Sequence, residues 1–292
     1  MKPTALSKMK LISSMFVFGT IGIFVKYIPL PSSVIALARG VTGTLFLVIA
    51  LLLSKRKINF SFNSKDIILL FVSGGFIGFN WIFLFEAYRY TTVAVATLCY
   101  YFAPALVIIA SPLVFKERLS VKKAVCVMLS LLGMAFISGV FSSTLPALNE
   151  LTGVFFGLMA AVLYASVMII NKKLCAIPAY EKTIMQLGMS AIVVLPYTLL
   201  TGGFVDAYFS VPTVILLAVV GIVHTGITYF LYFGSMDNLK PHTIALLSYI
   251  DPLVAVLLSA IVLGENFGVH EFVGMLLIIG SSIISELPDR TA

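Results

Sequence analysis

The sequence predicts an all-α membrane protein: ten transmembrane helices forming two inverted five-helix repeats around a central cavity. Three observations predict it: an apolar excess beyond what a soluble core can hide, a stretch that occurs twice, and a one-sided distribution of lysine and arginine. Hydrophobic residues make up 60% of the chain and charged residues 11%, where soluble domains average roughly half and a quarter. The net charge of +7 comes from short basic clusters between apolar runs, which is an orientation pattern. No basic face interleaved with aromatics appears, so nucleic acid is not an expected partner. Cys99, Cys126 and Cys175 show no CxxC spacing, so neither a disulfide framework, a metal site nor any other cofactor is expected.

The repeated stretch reads YFAPALVIIASPLVFKE from Tyr101 to Glu117 and YIDPLVAVLLSAIVLGE from Tyr249 to Glu265. Without a gap, Tyr101 falls on Tyr249, Pro104 on Pro252, Ser111 on Ser259 and Glu117 on Glu265. The same register carries Gly78 onto Gly226, Phe85 onto Phe233 and Leu129 onto Leu277. Duplication therefore divides the chain into residues 1–145 and 146–292. Each copy carries a proline inside an apolar run, Pro104 and Pro252, where a helix loses a donor and is expected to kink. Only the second copy places an acid, Asp251, beside it.

With about 20 apolar residues per crossing, spans are expected at 9–28, 33–53, 66–88, 92–114 and 121–140 in the first copy. The second copy supplies 151–171, 182–203, 212–234, 242–263 and 269–286. The opening MKPTALSKMK before an apolar run has the look of a secretory leader. Phe18, Gly19 and Lys26 nevertheless fall against Tyr164, Ala165 and Lys172 of the second copy, so the first span is read as part of the fold.

Lysine and arginine set the orientation. With the N-terminus inside, one side collects Lys2, Lys8 and Lys10, then Lys55, Arg56, Lys57 and Lys65, then Lys116, Arg118, Lys122 and Lys123. Lys172, Lys173, Lys182, Lys240 and Arg290 follow on that same side, while the other holds Lys26 and Arg89 near span ends. Both termini are thus expected in the cytoplasm, with the chain in the inner membrane. Five crossings per copy turn the second copy upside down relative to the first, which is the inverted repeat of secondary transporters.

Ten short helices in two halves, basic inner loops, proline-centred fourth and ninth helices and the helix-ending motifs KERLS and GENFG at Glu117 and Glu265 resemble the drug/metabolite transporter superfamily, EamA type. The resemblance covers residues 9–286 and implies export or uptake of small metabolites, often amino acids or related organic solutes, through a central cavity without ATP. The chain departs from that pattern at Asp251, where a small or apolar residue usually precedes the proline.

Several side chains are candidates for substrate binding or proton coupling. An ionised group at the bilayer centre costs about 2.5–3.5 kcal/mol on insertion scales, so Asp251 is expected to face a cavity or a partner. It would bind a cationic group or carry a proton, or else cap the donors freed around Pro252. His224, at similar depth, could relay protons with Asp251, or be satisfied by a neighbouring carbonyl or hydroxyl. Arg39 would hold a substrate carboxylate or pair with Glu86, and Lys26 would snorkel to the interface. Asn80, Trp81, Tyr101, Tyr229 and Tyr249 are expected to line the cavity, or else to pack as core. The GxxxG pairs Gly74/Gly78 and Gly153/Gly157 are read as close helix contacts. Glu117 and Glu265 fall at equivalent helix ends, in a hinge or capping role.

The function these features predict is a secondary-active carrier of small organic solutes, working by alternating access and open to proton coupling. The expected surroundings are a small-molecule substrate and the lipid bilayer, and a homodimer is compatible with them. A membrane enzyme is the alternative, yet paired acids at Asp-rich spacing, a Gly-x-Ser-Gly with histidine and HExxH are all absent from the sequence. A non-transporting structural protein would leave the charged midplane without a use. No GxxxxGK[ST] is present for an ATP-driven pump. The orientation is tested with Asn59→Cys: an impermeant thiol reagent added to intact cells is expected to leave it unlabelled, and labelling would reverse the assigned topology.

Overall fold

The computed structural model describes residues 3–53, 63–115, 120–137, 147–174, 176–205, 207–236, 239, 247–248 and 250–287. Among the described residues, a helix falls within each of the predicted spans. They are α1 (Pro3–Lys26), α2 (Ser32–Leu53), α3 (Ser64–Tyr90), α4 (Val93–Tyr100), α5 (Ala103–Phe115) and α6 (Val121–Ile137). Then come α7 (Leu148–Lys173), α8 (Ala179–Leu200), α9 (Val211–Ala218), a π-helical segment Val219–Ile227 and α10 (Thr228–Met236). The last two are α11 (Ile250–Val262) and α12 (Val269–Glu286). Among the described residues there is no strand.

Among the described residues, seven segments are long and apolar enough to cross a bilayer: 5–26, 32–53, 64–90, 93–110, 148–171, 180–200 and 211–232. Of the remaining three expected spans, α11 and the last helix are apolar but shorter, and α6 runs 17 residues. Side chains such as Leu52, Leu53, Leu113 and Leu200 are more than two-thirds exposed. An apolar outer surface of this kind suits lipid and not water.

Local chemistry explains where the helices begin. Asn63 accepts the Asp66 N–H at the start of α3, Thr92 accepts that of Val95 at the start of α4, and Ser210 accepts that of Thr213 at the start of α9. The fourth span is broken: α4 stops at Tyr100 and α5 restarts at Ala103. Pro104 thus stands in the first turn of the resumed helix, where a missing N–H leaves no bond unmade. Pro252 likewise follows Ile250 and Asp251 at the head of α11.

Helices of the two copies interleave. α3 lies against α7 and α8, α2 against α8 and the π segment, and α1 against α10 and α11. α4 and α5 lie against α7, and α6 against α12. Glycines set these approaches. A Cβ at Gly74 would sit 2.6 Å from Met189 Cβ and 2.7 Å from the Gln186 carbonyl, and one at Gly78 would meet Val194 and Ser190. Gly153 and Gly157 face Thr91, Ala96 and Cys99 on the other side of α7. Polar ties cross the same seams: Gln186 Nε2 donates to Ser73 Oγ at 2.8 Å and to Asn171 Oδ1 at 2.7 Å, and Ser130 meets Ser281 at 2.7 Å.

At Gly74 the nearest atoms include backbone, which cannot rotate away. Gly74→Ala is therefore expected to destabilise by about 1–3 kcal/mol, the range for overpacking, read as a lower melting midpoint in detergent. Gly280→Ala, where a Cβ would find open space, is expected to leave that midpoint in place.

Candidate functional site

The break in the fourth span meets the acid of the ninth. Tyr101, left between α4 and α5, donates its hydroxyl to Asp251 Oδ2 at 2.6 Å. Gly19 of α1 holds the other side: a Cβ there would stand 2.6 Å from the Asp251 carbonyl oxygen. Tyr88, Tyr100, Tyr229 and Tyr232 all lie within electrostatic range of the carboxylate. Tyr100 stacks on Tyr164 at 5.0 Å, and Tyr229 makes an edge contact with Phe18 at 5.2 Å. An acid beside one hydroxyl donor among phenol rings is a site that can receive a proton or a cationic group.

Arg39 lies on α2 and is 4% exposed. Its Nε donates to Thr225 Oγ1 at 3.0 Å, and Thr225 in turn donates to the Val220 carbonyl at 3.0 Å. The guanidinium carbon stands 4.1 Å from the centroid of the Trp81 ring and 5.5 Å from that of Phe85. The expected alternative of a tie to Glu86 is not what forms: Glu86 pairs with Arg89, one turn away on its own helix, at 3.4 Å. A neighbour on the same helix face is reached without crossing to α2.

His224 belongs to the π segment, one residue before Thr225. Its Nε2 lies 2.8 Å from Thr20 Oγ1, its Nδ1 lies 3.4 Å from the Val219 carbonyl, and Phe24 covers it edge-on at 4.8 Å. It makes no contact with Asp251: Thr20 holds the one and Tyr101 the other. The π segment carries Arg39's anchor and the histidine at consecutive positions, Thr225 meeting α2 and His224 meeting α1. Thr225 and Thr228 donate their hydroxyls to carbonyls five residues back, at 3.0 and 2.7 Å, and such insertions recur at functional sites. A Cβ at Gly43 of α2 would meet Thr225, so that helix can approach closely enough for Arg39 to reach it.

The other predicted residues fall as follows. Asn80 donates its amide to the Ala160 carbonyl at 2.6 Å and is buried as a tie between α3 and α7. Trp81 is buried beneath Arg39. Tyr249 lies outside the described residues, as do Glu117 and Cys175. Thr20, Thr225 and Tyr164 were not singled out from the sequence. A threonine in an apolar helix has no periodic mark, and only the change of helical winding shows which way Thr225 points.

A second polar place lies where α1 ends and α4 begins, a cavity of about 300 Å³ lined by Lys26, Arg89, Tyr90, Thr91, Thr92, Glu150 and Glu265. Lys26 pairs with Glu265 at 3.7 Å, and the other oxygen of Glu265 accepts the Val93 N–H at 2.8 Å. That donor is an orphan of the first turn of α4, so Glu265 caps a helix of the first copy from the second.

Comparison with known proteins follows the same outline. The model of the EamA-like transporter family matches residues 8–139 and again 151–286. The chain is 31% identical over 286 residues to the uncharacterized transporter YxxF of Bacillus subtilis, covering 97% of this chain and 90% of that one. It is 28% identical over 201 residues to an uncharacterized transporter of Archaeoglobus fulgidus, covering 68% of this chain and 69% of that one. A solved crystal structure shares the fold, with a TM-score of 0.65 over 96% of each chain at 16% identity.

Glu265→Ala removes both the ion pair and the cap, and is expected to destabilise by about 1–2 kcal/mol, the range for a lost helix cap. Glu265→Gln keeps an acceptor for Val93 and is expected to lose less. Melting midpoints of the two variants in detergent check the order.

Proposed function

The chain belongs to the EamA-like transporter family and is a multi-pass membrane protein with a transporter role, and from that premise we propose that it is a secondary-active carrier of small organic metabolites, amino acids or related solutes, working by alternating access between inverted repeats. The observation that carries this reading is the group of ionisable side chains held inside an apolar bundle. Asp251 and Arg39 both lie within electrostatic range of the same tyrosines, Tyr88, Tyr100 and Tyr229. Groups of this kind cost too much in lipid to be kept without a use.

The helix contacts support an exchange of halves. Swapping the copies turns the packing of α1 on α11 into that of α7 on α4 and α5, and the packing of α3 on α8 into that of the π segment on α2. The contacts of α2 with α8 and of α6 with α12 map onto themselves. A bundle that exchanges its halves in this way, with an odd number of crossings in each, would have two conformations of similar energy that open to opposite sides. Asp251 and His224 would be the proton-carrying groups, each reached from its own hydroxyl, Tyr101 and Thr20.

Solute flux in reconstituted vesicles tests the reading, with amino acids, amines, nucleosides and organic acids offered at two pH values. One of these classes is expected to move, and Asp251→Asn is expected to slow that movement roughly tenfold or more, the scale of one lost charge-assisted hydrogen bond, while still inserting in the membrane. Unchanged flux in Asp251→Asn would remove this residue from the mechanism.

A further inference from the structure

Arg39 is held but not neutralised. Guanidinium stays charged in proteins and offers five N–H donors. Among the described residues its hydrogen-bond partner is Thr225 at Nε, and no carboxylate stands within ion-pair distance. Glu86, the acid best placed by sequence to neutralise it, is taken by Arg89. Rings stand around it: Trp81 and Phe85 over the guanidinium, with Tyr88, Tyr100, Tyr229 and the His224 imidazole within electrostatic range. A charge 96% withdrawn from the surface (4% exposed) and left with one hydrogen bond is a binding group waiting for an anion.

The remaining geometry narrows that anion. Thr225 occupies the Nε position, and because its own proton goes to the Val220 carbonyl it acts toward Arg39 as an acceptor, fixing the plane of the side chain. The Trp81 ring lies over the central carbon. What has no hydrogen bond among the described residues is the pair of terminal nitrogens, whose forked N–H groups match the two oxygens of a planar carboxylate. A doubly charged phosphate would ask for a second fixed cation; among the described residues no Lys or further Arg is seen beside Arg39, and the nearby His224 already meets Thr20. Aromatic walls next to the fork suit an apolar or aromatic body on the ligand.

We propose that Arg39, anchored by Thr225 and stacked over Trp81, is the subsite that takes the carboxylate of an organic acid with an apolar or aromatic body. This rests on the carrier reading above and names the end of the solute that the site recognises. Thr225 is a positioning residue in it.

The site carries its own reporter. The chain has a single tryptophan, and it is Trp81. Purified protein in nanodiscs, excited at its indole, is titrated with pairs that differ only at the acid: leucine and leucinamide, phenylalanine and phenylalaninamide, 3-phenylpropionate and 3-phenylpropionamide. Phenylphosphonate is added as the phosphate-like arm. At least one free acid is expected to change Trp81 emission saturably, with its amide weaker by roughly 10-fold to 100-fold, the scale of hydrogen bonds to a charged group. Arg39→Gln is expected to abolish the preference, and Thr225→Val to weaken binding while keeping it. Because the acid and amide pairs are compared on the unaltered protein, the result stands even if Arg39→Gln fails to fold.

Equal responses to acid and amide, tighter binding of phenylphosphonate than of every carboxylate, or silence of Trp81 toward all the acids would overturn the subsite. Vesicle flux separates this from the carrier reading. Solute movement with a silent Trp81 sinks the subsite and leaves the carrier. An acid-specific Trp81 response without movement of any solute sinks the carrier and leaves a carboxylate-binding membrane protein.

Discussion

A charge inside an apolar bundle has to find its partners within the protein, and that constraint governs most of what surrounds Arg39 and Asp251. Neither is paired with the other. Asp251 takes one hydroxyl, from Tyr101, and Arg39 gives one hydrogen bond, to Thr225. A phenol reaches Asp251, and an indole and a phenyl ring cover Arg39, offering edges and faces instead of opposite charge. Such an arrangement stabilises each charge only partly.

The backbone is bent in two places to make this possible. In the fourth span the helix stops at Tyr100 and resumes at Ala103, which frees Tyr101 to turn toward the ninth span. In the eighth span the winding loosens to a π-helix over Val219–Ile227, so that His224 and Thr225 reach α1 and α2 from adjacent positions. Glycines complete the approach. Gly19 brings α1 onto the Asp251 carbonyl and Gly43 brings α2 onto Thr225. The two irregular spans and the two glycine-bearing ones thus converge on the acid that α11 carries and the tryptophan that α3 carries.

The two copies divide these duties unequally. Pro104 and Pro252 occupy matching places in the repeat, yet Ala103 precedes one and Asp251 the other. The acid stands across from the break of the opposite copy, so the repeat places a hydroxyl in one half opposite a carboxylate in the other. The Glu265 cap on α4 crosses the same seam at one end of the bundle.

Much of this was legible in the residues alone. The apolar excess, the doubled motif and the proline positions set the helical class, the location of the helices and the break in the fourth span, because each is a local property of hydropathy or of the backbone. Asp251, His224, Arg39 and Trp81 were recognisable as unusual since ionisable and amide groups are rare in apolar spans. Their partners were not. Nothing in the order of residues says that Tyr101 reaches Asp251 across 150 positions, that Thr20 meets His224, or that Glu86 turns to Arg89 and leaves Arg39 to Thr225. Those pairings depend on how helices rotate and how closely glycines let them approach, and on a change of winding that shifts which face a side chain occupies. Hydropathy and proline act within a span and could be read one residue at a time; contact between spans is a property of the packed bundle, and only the tertiary structure decided it.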